Sequence, residues 1–188
     1  MDASDAAAVL ARARRGDDDA FGALVQQHSH RAFVLALRMT GNEQDAEDIV
    51  QESFLRAYRQ IGRFEARANF GTWLYRIVVN CAVDRLRTRP KGRLTGIDAL
   101  LGETAVESRP GPDRLAASEE IGRKVRDALD ALTPLERAAF TLRHYEGLSI
   151  AEIGGILNLG TSAAKHGVFR AVRKLRAALA PLHAAASE

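Results

Sequence analysis

Cysteine is nearly missing from this chain: Cys81 stands alone among 188 residues. A single thiol excludes an intrachain disulfide and a metal site built on several cysteines. Its place in an apolar helical run marks it as a small buried hydrophobe. Histidine is sparse and scattered, at 28, 30, 144, 166 and 183. His28 and His30 point to different faces of a helix and cannot readily share a metal, so both read as structural or surface residues. No apolar run approaches the roughly 20 residues of a membrane span. The opening MDASDAAAVLARARRGDDD has no apolar signal core, and the chain reads as cytoplasmic. Strand-type alternation and internal repeats are missing as well. So are a glycine-rich phosphate loop, a His-x-x-x-His pair and a plausible Ser/His/Asp grouping. No catalytic residue, cofactor or metal is therefore assigned. An enzyme reading, such as a carboxylate–metal hydrolase using residues 43–52, would rest on carboxylates alone.

What is present is a foldable chain with unevenly placed charge. An apolar fraction of 46% argues against disorder throughout. The net charge of +3 is modest, so distribution matters more than the sum. Acids gather around 43–52 and 103–136, and bases around 85–93 and 165–176. Separate acidic and basic surfaces suit different partners.

Periodicity predicts helices throughout. The first spans Asp5 to Arg15 and ends at Gly16. Asp17, Asp18 and Asp19 then sit at the positive end of a second, over 20–39. Thr40-Gly41-Asn42 breaks the chain. A third helix over 43–61 carries its acids in its first half, and a polar loop, Gly62 to Asn69, leads to a fourth over 70–88. From Arg89 to Pro112 the pattern dissolves, with only Ile97 to Leu101 able to make a helical turn. About 20 irregular residues favour a tether between domains. A helix over 113–131 follows. Thr133-Pro134-Leu135-Glu136 then combines a capping box with proline at the first helical position of a helix through Tyr145. The expected fold is all-α: two small helical domains, 1–89 and 113–188, joined by a flexible linker, 90–112.

Ser149 to Arg176 reads as two helices and a tight turn. Ser149 and Glu152 make a capping box, and Ile150, Ile153, Ile156 and Leu157 one apolar face. Asn158-Leu159-Gly160 stops the helix, and Thr161 or Ser162 caps the next, which Pro181 closes. That second helix has Ala164, Val168, Val172 and Leu175 on a packing stripe and no acid between Thr161 and Arg176. A short helix, a turn and a longer basic helix form a helix-turn-helix, whose second helix enters the major groove.

Two stretches carry a family resemblance. DAEDIVQESFLRAYRQIGRF with NFGTWLYRIVVNCAVDRLR resembles region 2 of bacterial sigma factors of the extracytoplasmic-function branch. LTPLERAAFTLRHYEGLSIAEIGGIL with the basic helix is similar to region 4 of that branch. Together they cover most of residues 18–180. The resemblance implies an alternative sigma factor that directs core RNA polymerase to −10/−35 promoters under control of an anti-sigma factor. It also implies that the protein is not an enzyme. A stand-alone helix-turn-helix regulator is the alternative.

By this resemblance, Asp45, Glu47, Asp48, Gln51, Glu52, Phe54 and Tyr58, with Leu55, dock on core polymerase. Phe64, Arg67, Asn69 and Phe70 make a base pocket at the −10 element, and Arg76, Asn80 and Arg85 hold the strand. Trp73 is either core or stacking platform. Ser162, Lys165, His166, Arg170, Arg173 and Lys174 contact −35 DNA. The chain departs from the family at Ala163-Ala164-Lys165-His166-Gly167, where Thr-Val-Lys-Ser-Arg is common. Gly167 is expected to weaken the helix interior by about 1 kcal/mol.

Overall fold

The structure is a computed structural model that describes residues 3–65, 69–88 and 112–185. Among these residues there are eight α-helices, one 3-10 turn and no strand. The helices are α1 (Ala3–Ala13), α2 (Asp18–Thr40), α3 (Glu43–Gln60), α4 (Phe70–Thr88), α5 (Pro112–Asp130), α6 (Pro134–His144), α7 (Ile150–Leu157) and α8 (Thr161–Ala185). The expected linker, save Pro112, and the turn at Ile97 to Leu101 lie outside the described residues.

Local chemistry sets the helix ends. Asp17 accepts from the Ala20 amide at 3.0 Å and opens α2. Gly41, at φ 63°, closes it and donates to the Leu37 carbonyl. Asn42 then caps α3 by accepting from the Asp45 amide at 2.8 Å. In three residues the chain therefore leaves one helix through a left-handed glycine and enters the next through an Asx cap. That corner sets α2 against α3, and α4 packs on both. Leu35, Met39, Leu74 and Val78 are fully buried between them.

The second half begins with α5; Ala128 of that helix and Leu132 just after it pack on Ala171 and Leu175 of α8. Thr133 and Glu136 form the expected capping box at α6. The two halves are not separate in this arrangement. One buried cluster runs from α2, α3 and α4 into Ala138, Leu142, Ile153 and Ile156 of α6 and α7. At its edge Arg38 of α2 pairs with Glu146 at 3.0 Å and lies 4.9 Å from the centre of the Tyr145 ring. Tyr75 of α4 hydrogen-bonds to the same carboxylate; burial first, then the Glu146 charge, push the Tyr75 pKa up.

Two expectations about α8 change. The helix starts at Thr161, and the Ala164 amide donates to the Gly160 carbonyl at 3.0 Å. Gly160 therefore occupies the cap position, with Thr161 and Ser162 in the first turn. Pro181 does not close the helix, which continues to Ala185. Proline costs one backbone bond and fixes φ at a helical value, so near an end it is passed rather than obeyed.

Gly154 is a requirement that periodicity did not single out. A Cβ placed there would lie 2.8 Å from the Leu159 carbonyl oxygen, inside the turn between α7 and α8. Gly155 beside it faces open space. Gly154→Ala should destabilise the protein by about 1–3 kcal/mol through overpacking. Gly155→Ala should stabilise it by up to about 1 kcal/mol through helix propensity. Thermal melts followed by circular dichroism compare the two, and equal shifts would contradict the close approach.

Candidate functional site

The acidic helix α3 borders an apolar groove. Phe21, Val25 and Phe33 of α2 face Val50, Phe54 and Leu55 of α3 across a cleft of about 820 Å³. Glu47 and Gln51 stand on its wall, so polar groups rim an apolar floor. Phe54 is buried in that floor, while Leu55 and Tyr58 are roughly half exposed. Tyr58 donates to Asp18 at 2.7 Å and meets the Phe21 ring edge-on, which closes one end. Of the other acids expected at this surface, Glu52 is held by Arg56 at 2.7 Å. Asp48 and Asp45 are both held by Arg85 of α4, at 2.5 and 3.7 Å.

The pairing with Asp45 and Asp48 relocates Arg85. The resemblance groups it with Arg76 and Asn80, yet it faces α3 and staples α4 to the acidic helix. At 3.6 residues per turn, Asn69, Thr72, Arg76, Asn80 and Arg87 share one side of α4, and Arg85 lies nearly opposite. All five of those residues are exposed. Thr72 and Arg87 were missed, although the spacing alone places them there.

The expected base pocket also changes character. Phe64 and Phe70 are buried, and with Trp73 they form a three-ring cluster with centroids 5.0 to 6.1 Å apart. Both phenylalanines are thus packed core rather than exposed stacking faces, because each ring is already covered by the other two and His28 lies against Phe70. Trp73, half-buried, joins them. Asn69 stays exposed and accepts from the Gly71 amide at 2.8 Å, capping α4. Arg67 lies outside the described residues.

In the second half, the helix-turn-helix forms as expected. The Ser149–Glu152 capping box is complete, and Asn158 ends α7 in the left-handed region at φ 54°. Hydrogen bonds from Ser149 are the main cause holding the Glu152 carboxyl below its usual pKa. On α8, Ala164, Gly167, Ala171 and Leu175 turn inward, while Ser162, Lys165, His166 and Arg173 turn outward. Gly167 sits 3.5 Å, measured from where its Cβ would be, from the Ala139 Cβ. Gly167 therefore lies on the packed face of α8, where an alanine-sized side chain would make ordinary contact.

Arg170 and Lys174 have a second job. Arg170 donates to Glu136 at 3.1 Å and Lys174 at 2.7 Å, and Glu136 is buried. The same carboxylate accepts from the Thr133 amide at 3.0 Å to complete the α6 capping box. Lys174 also reaches the Ala131 carbonyl at 3.4 Å. These two cations orient α8, and Lys174 in particular is committed to the protein. Lys165, His166 and Arg173 remain as outward-facing polar groups with Ser162.

Residues 24–91 match the family model for Sigma-70 region 2, and residues 122–175 match that for Sigma-70 region 4. The RNA polymerase sigma-H factor of Pseudomonas aeruginosa is 34% identical over 180 residues, covering 93% of each chain. The chain belongs to the extracytoplasmic-function sigma factors. The ECF sigma factor SigW of Bacillus subtilis is 32% identical over 179 residues, 92% of this chain and 96% of that one. A solved structure of CnrH in complex with the cytosolic domain of CnrY is similar, with a TM-score of 0.65 at 27% identity over 93% of this chain and 97% of that chain. As a sigma factor, the protein is a transcription initiation factor and not an enzyme, and its α3–α4 and α7–α8 faces fall within regions 2 and 4. No helix among the described residues is long and apolar enough to cross a membrane.

The Glu136 junction is testable by pH. Burial raises its pKa, but hydrogen bonds from Lys174 and the Thr133 amide outweigh this and leave the carboxyl below its usual value. A depressed carboxylate pKa adds stability that is complete above the unfolded value and is lost as pH falls through the folded one. Glu136→Gln should cost about 1–3 kcal/mol at neutral pH. The gap to the parent should hold above about pH 4.5 and close as the pH is taken lower. Urea melts across pH check this, and a gap that widens in acid would contradict it.

Proposed function

We propose that this sigma factor divides its work among three faces. The acid-rimmed groove between α2 and α3 docks on core RNA polymerase. The exposed side of α4 holds the −10 strand, and the outward side of α8 reads the −35 element. Residues 1–89 and 113–188 act as the two domains, tied by residues 90–112, and the protein works in the cytoplasm. The single observation that carries this reading is the pairing, on one chain, of an apolar groove walled by Glu47 and Gln51 of the acidic helix with outward-facing polar and basic sides of α4 and α8. Apolar area supplies affinity at the groove, and its acidic rim supplies steering and register toward a basic partner. On α4 and α8, cations neutralise phosphate while neighbouring polar groups reach bases.

An anti-sigma factor holds the protein in reserve in this reading. Support comes from CnrH, a relative captured with the cytosolic domain of CnrY. The contact of Arg38 with Glu146 and Tyr145 supports the same view, since it ties the two halves together.

Run-off transcription with core polymerase on genomic fragments tests the reading. The chain should direct specific transcripts with core and bind duplex promoter DNA poorly alone. Tight operator binding without core-dependent transcripts would make it a self-sufficient regulator. Asp48→Lys with Gln51→Ala should weaken core capture in a pull-down, and unchanged capture would remove α3 from the docking surface. Within the holoenzyme, Arg76→Ala and Asn80→Ala should each lower permanganate reactivity of the melted strand severalfold. Arg85→Ala should change it by less than about twofold, because the pair it breaks is partly exposed and modest in energy. Equal losses from all three would return Arg85 to the DNA face.

A further inference from the structure

A second cleft, of about 520 Å³, opens where the two halves meet. Arg31 and Arg38 of α2 line it with Tyr75 of α4 and with Tyr145 and Glu146, just after α6. Seven residues make about two turns of helix, so both arginines share one face of α2. Arg38 is partly engaged: it pairs with Glu146 at 3.0 Å and lies against the Tyr145 ring. Its Nε is nonetheless buried without an acceptor among the described residues. Arg31 is exposed and makes no hydrogen bond or ion pair among the described residues. Burial pushes the Tyr75 pKa up and the Glu146 charge adds to this, while Arg31 and Arg38 draw it down. Both guanidiniums therefore act on one phenol. With two arginines against one carboxylate, the lining keeps a net positive charge, and the exposed His30 beside them adds to it when protonated.

We propose that this cleft binds a small phosphate-bearing anion between Arg31 and Arg38, with Glu146 as its internal competitor. The two arginines and Glu146 are distinct from the residues proposed to meet polymerase or promoter. A guanidinium presents a rigid fork of N–H donors that matches phosphate oxygens. A phosphate monoester carries about −1.5 to −2 at neutral pH, enough to take up the surplus charge of the cleft. The volume falls within the range of about 300–1,000 Å³ usual for small-molecule sites, and leaves room for more than a bare phosphate. Glu146 already draws on the same cations, and two anions on one guanidinium repel each other. The phosphate therefore takes Arg38 in place of Glu146. Because Glu146 belongs to the second half, anion binding and the Arg38 tie between the halves are coupled, and the coupling is reciprocal.

Isothermal titration of the full chain with inorganic pyrophosphate, at an ionic strength fixed with chloride, tests the site. The parent should bind one equivalent. Arg31→Ala should weaken binding about tenfold, the effect of losing one charged hydrogen-bonding partner. Arg31 takes no part in the packing, and an unchanged melting temperature verifies that the variant folds. Glu146→Gln should tighten binding severalfold, because the competitor loses its charge. Lys165→Ala, on the outward side of α8, should leave binding unchanged. In the parent, pyrophosphate should also speed hydrogen exchange at the Glu146 amide, which donates to the Thr141 carbonyl at 3.3 Å. Adenosine diphosphate binding more tightly than pyrophosphate would identify a nucleoside phosphate as the occupant, and equal binding the phosphate group alone; either supports the site. Absence of saturable binding, binding indifferent to Arg31→Ala, or a loss confined to Lys165→Ala would each overturn the site. Equal affinity in Glu146→Gln, or slower exchange at the Glu146 amide, would overturn the competition.

Discussion

The orientation of α8, the helix proposed to face promoter DNA, depends on one carboxylate. Glu136 closes the capping box of α6 with Thr133 and, from the same two oxygens, holds Arg170 and Lys174 of α8. A buried carboxylate is costly unless its lone pairs are filled and its charge is met. Here both conditions are satisfied by groups on two other segments, so satisfying Glu136 and placing α8 against α6 are one event. The consequence is a division of labour on a helix that looks uniformly basic. Arg170 and Lys174 face α6 and are committed to the fold, and the outward cations beside them are the ones proposed for DNA.

Region 2 repeats this logic with different chemistry. The Phe64, Phe70 and Trp73 rings pack together where the chain enters α4, and Asn69 caps that helix beside them. An aromatic anchor under an exposed cap positions the start of the α4 stripe. The packing of α3 on α4 holds the surfaces proposed for polymerase and promoter in register, and Arg85 adds a modest, partly exposed ion-pair cluster with Asp45 and Asp48 across it. Arg38, Tyr75, Tyr145 and Glu146 carry that register across to the second half.

The helices were legible because their ends are written in short local codes. Asp17, Asn42, Thr133 with Glu136, and Ser149 with Glu152 each cap the helix that follows, and Gly41 and Asn158 end theirs in the left-handed region. Family resemblance supplied the functional faces. What sequence did not reveal was which of several similar residues points where. Arg85 and Arg87 differ by half a turn of α4, and only spacing measured from Arg76 and Asn80 separates them. Arg170 and Lys174 read as DNA contacts because their partner, Glu136, is more than thirty residues away, and no local pattern reports a long-range ion pair. Gly154 escaped for a related reason: a close approach inside a turn is a property of two segments together. Pro181 misled because a breaker near a helix end breaks little.

The division of α8 by Glu136 is most directly measured by the salt dependence of promoter binding by the holoenzyme. Removing one cation from a DNA phosphate makes the slope of log K against log salt shallower by about 0.9. Arg173→Ala should flatten the slope by about that amount, while Lys174→Ala should leave it unchanged and lower the melting temperature instead. A slope that flattens equally for both variants would contradict the account, because Lys174 would then be neutralising DNA phosphate rather than Glu136.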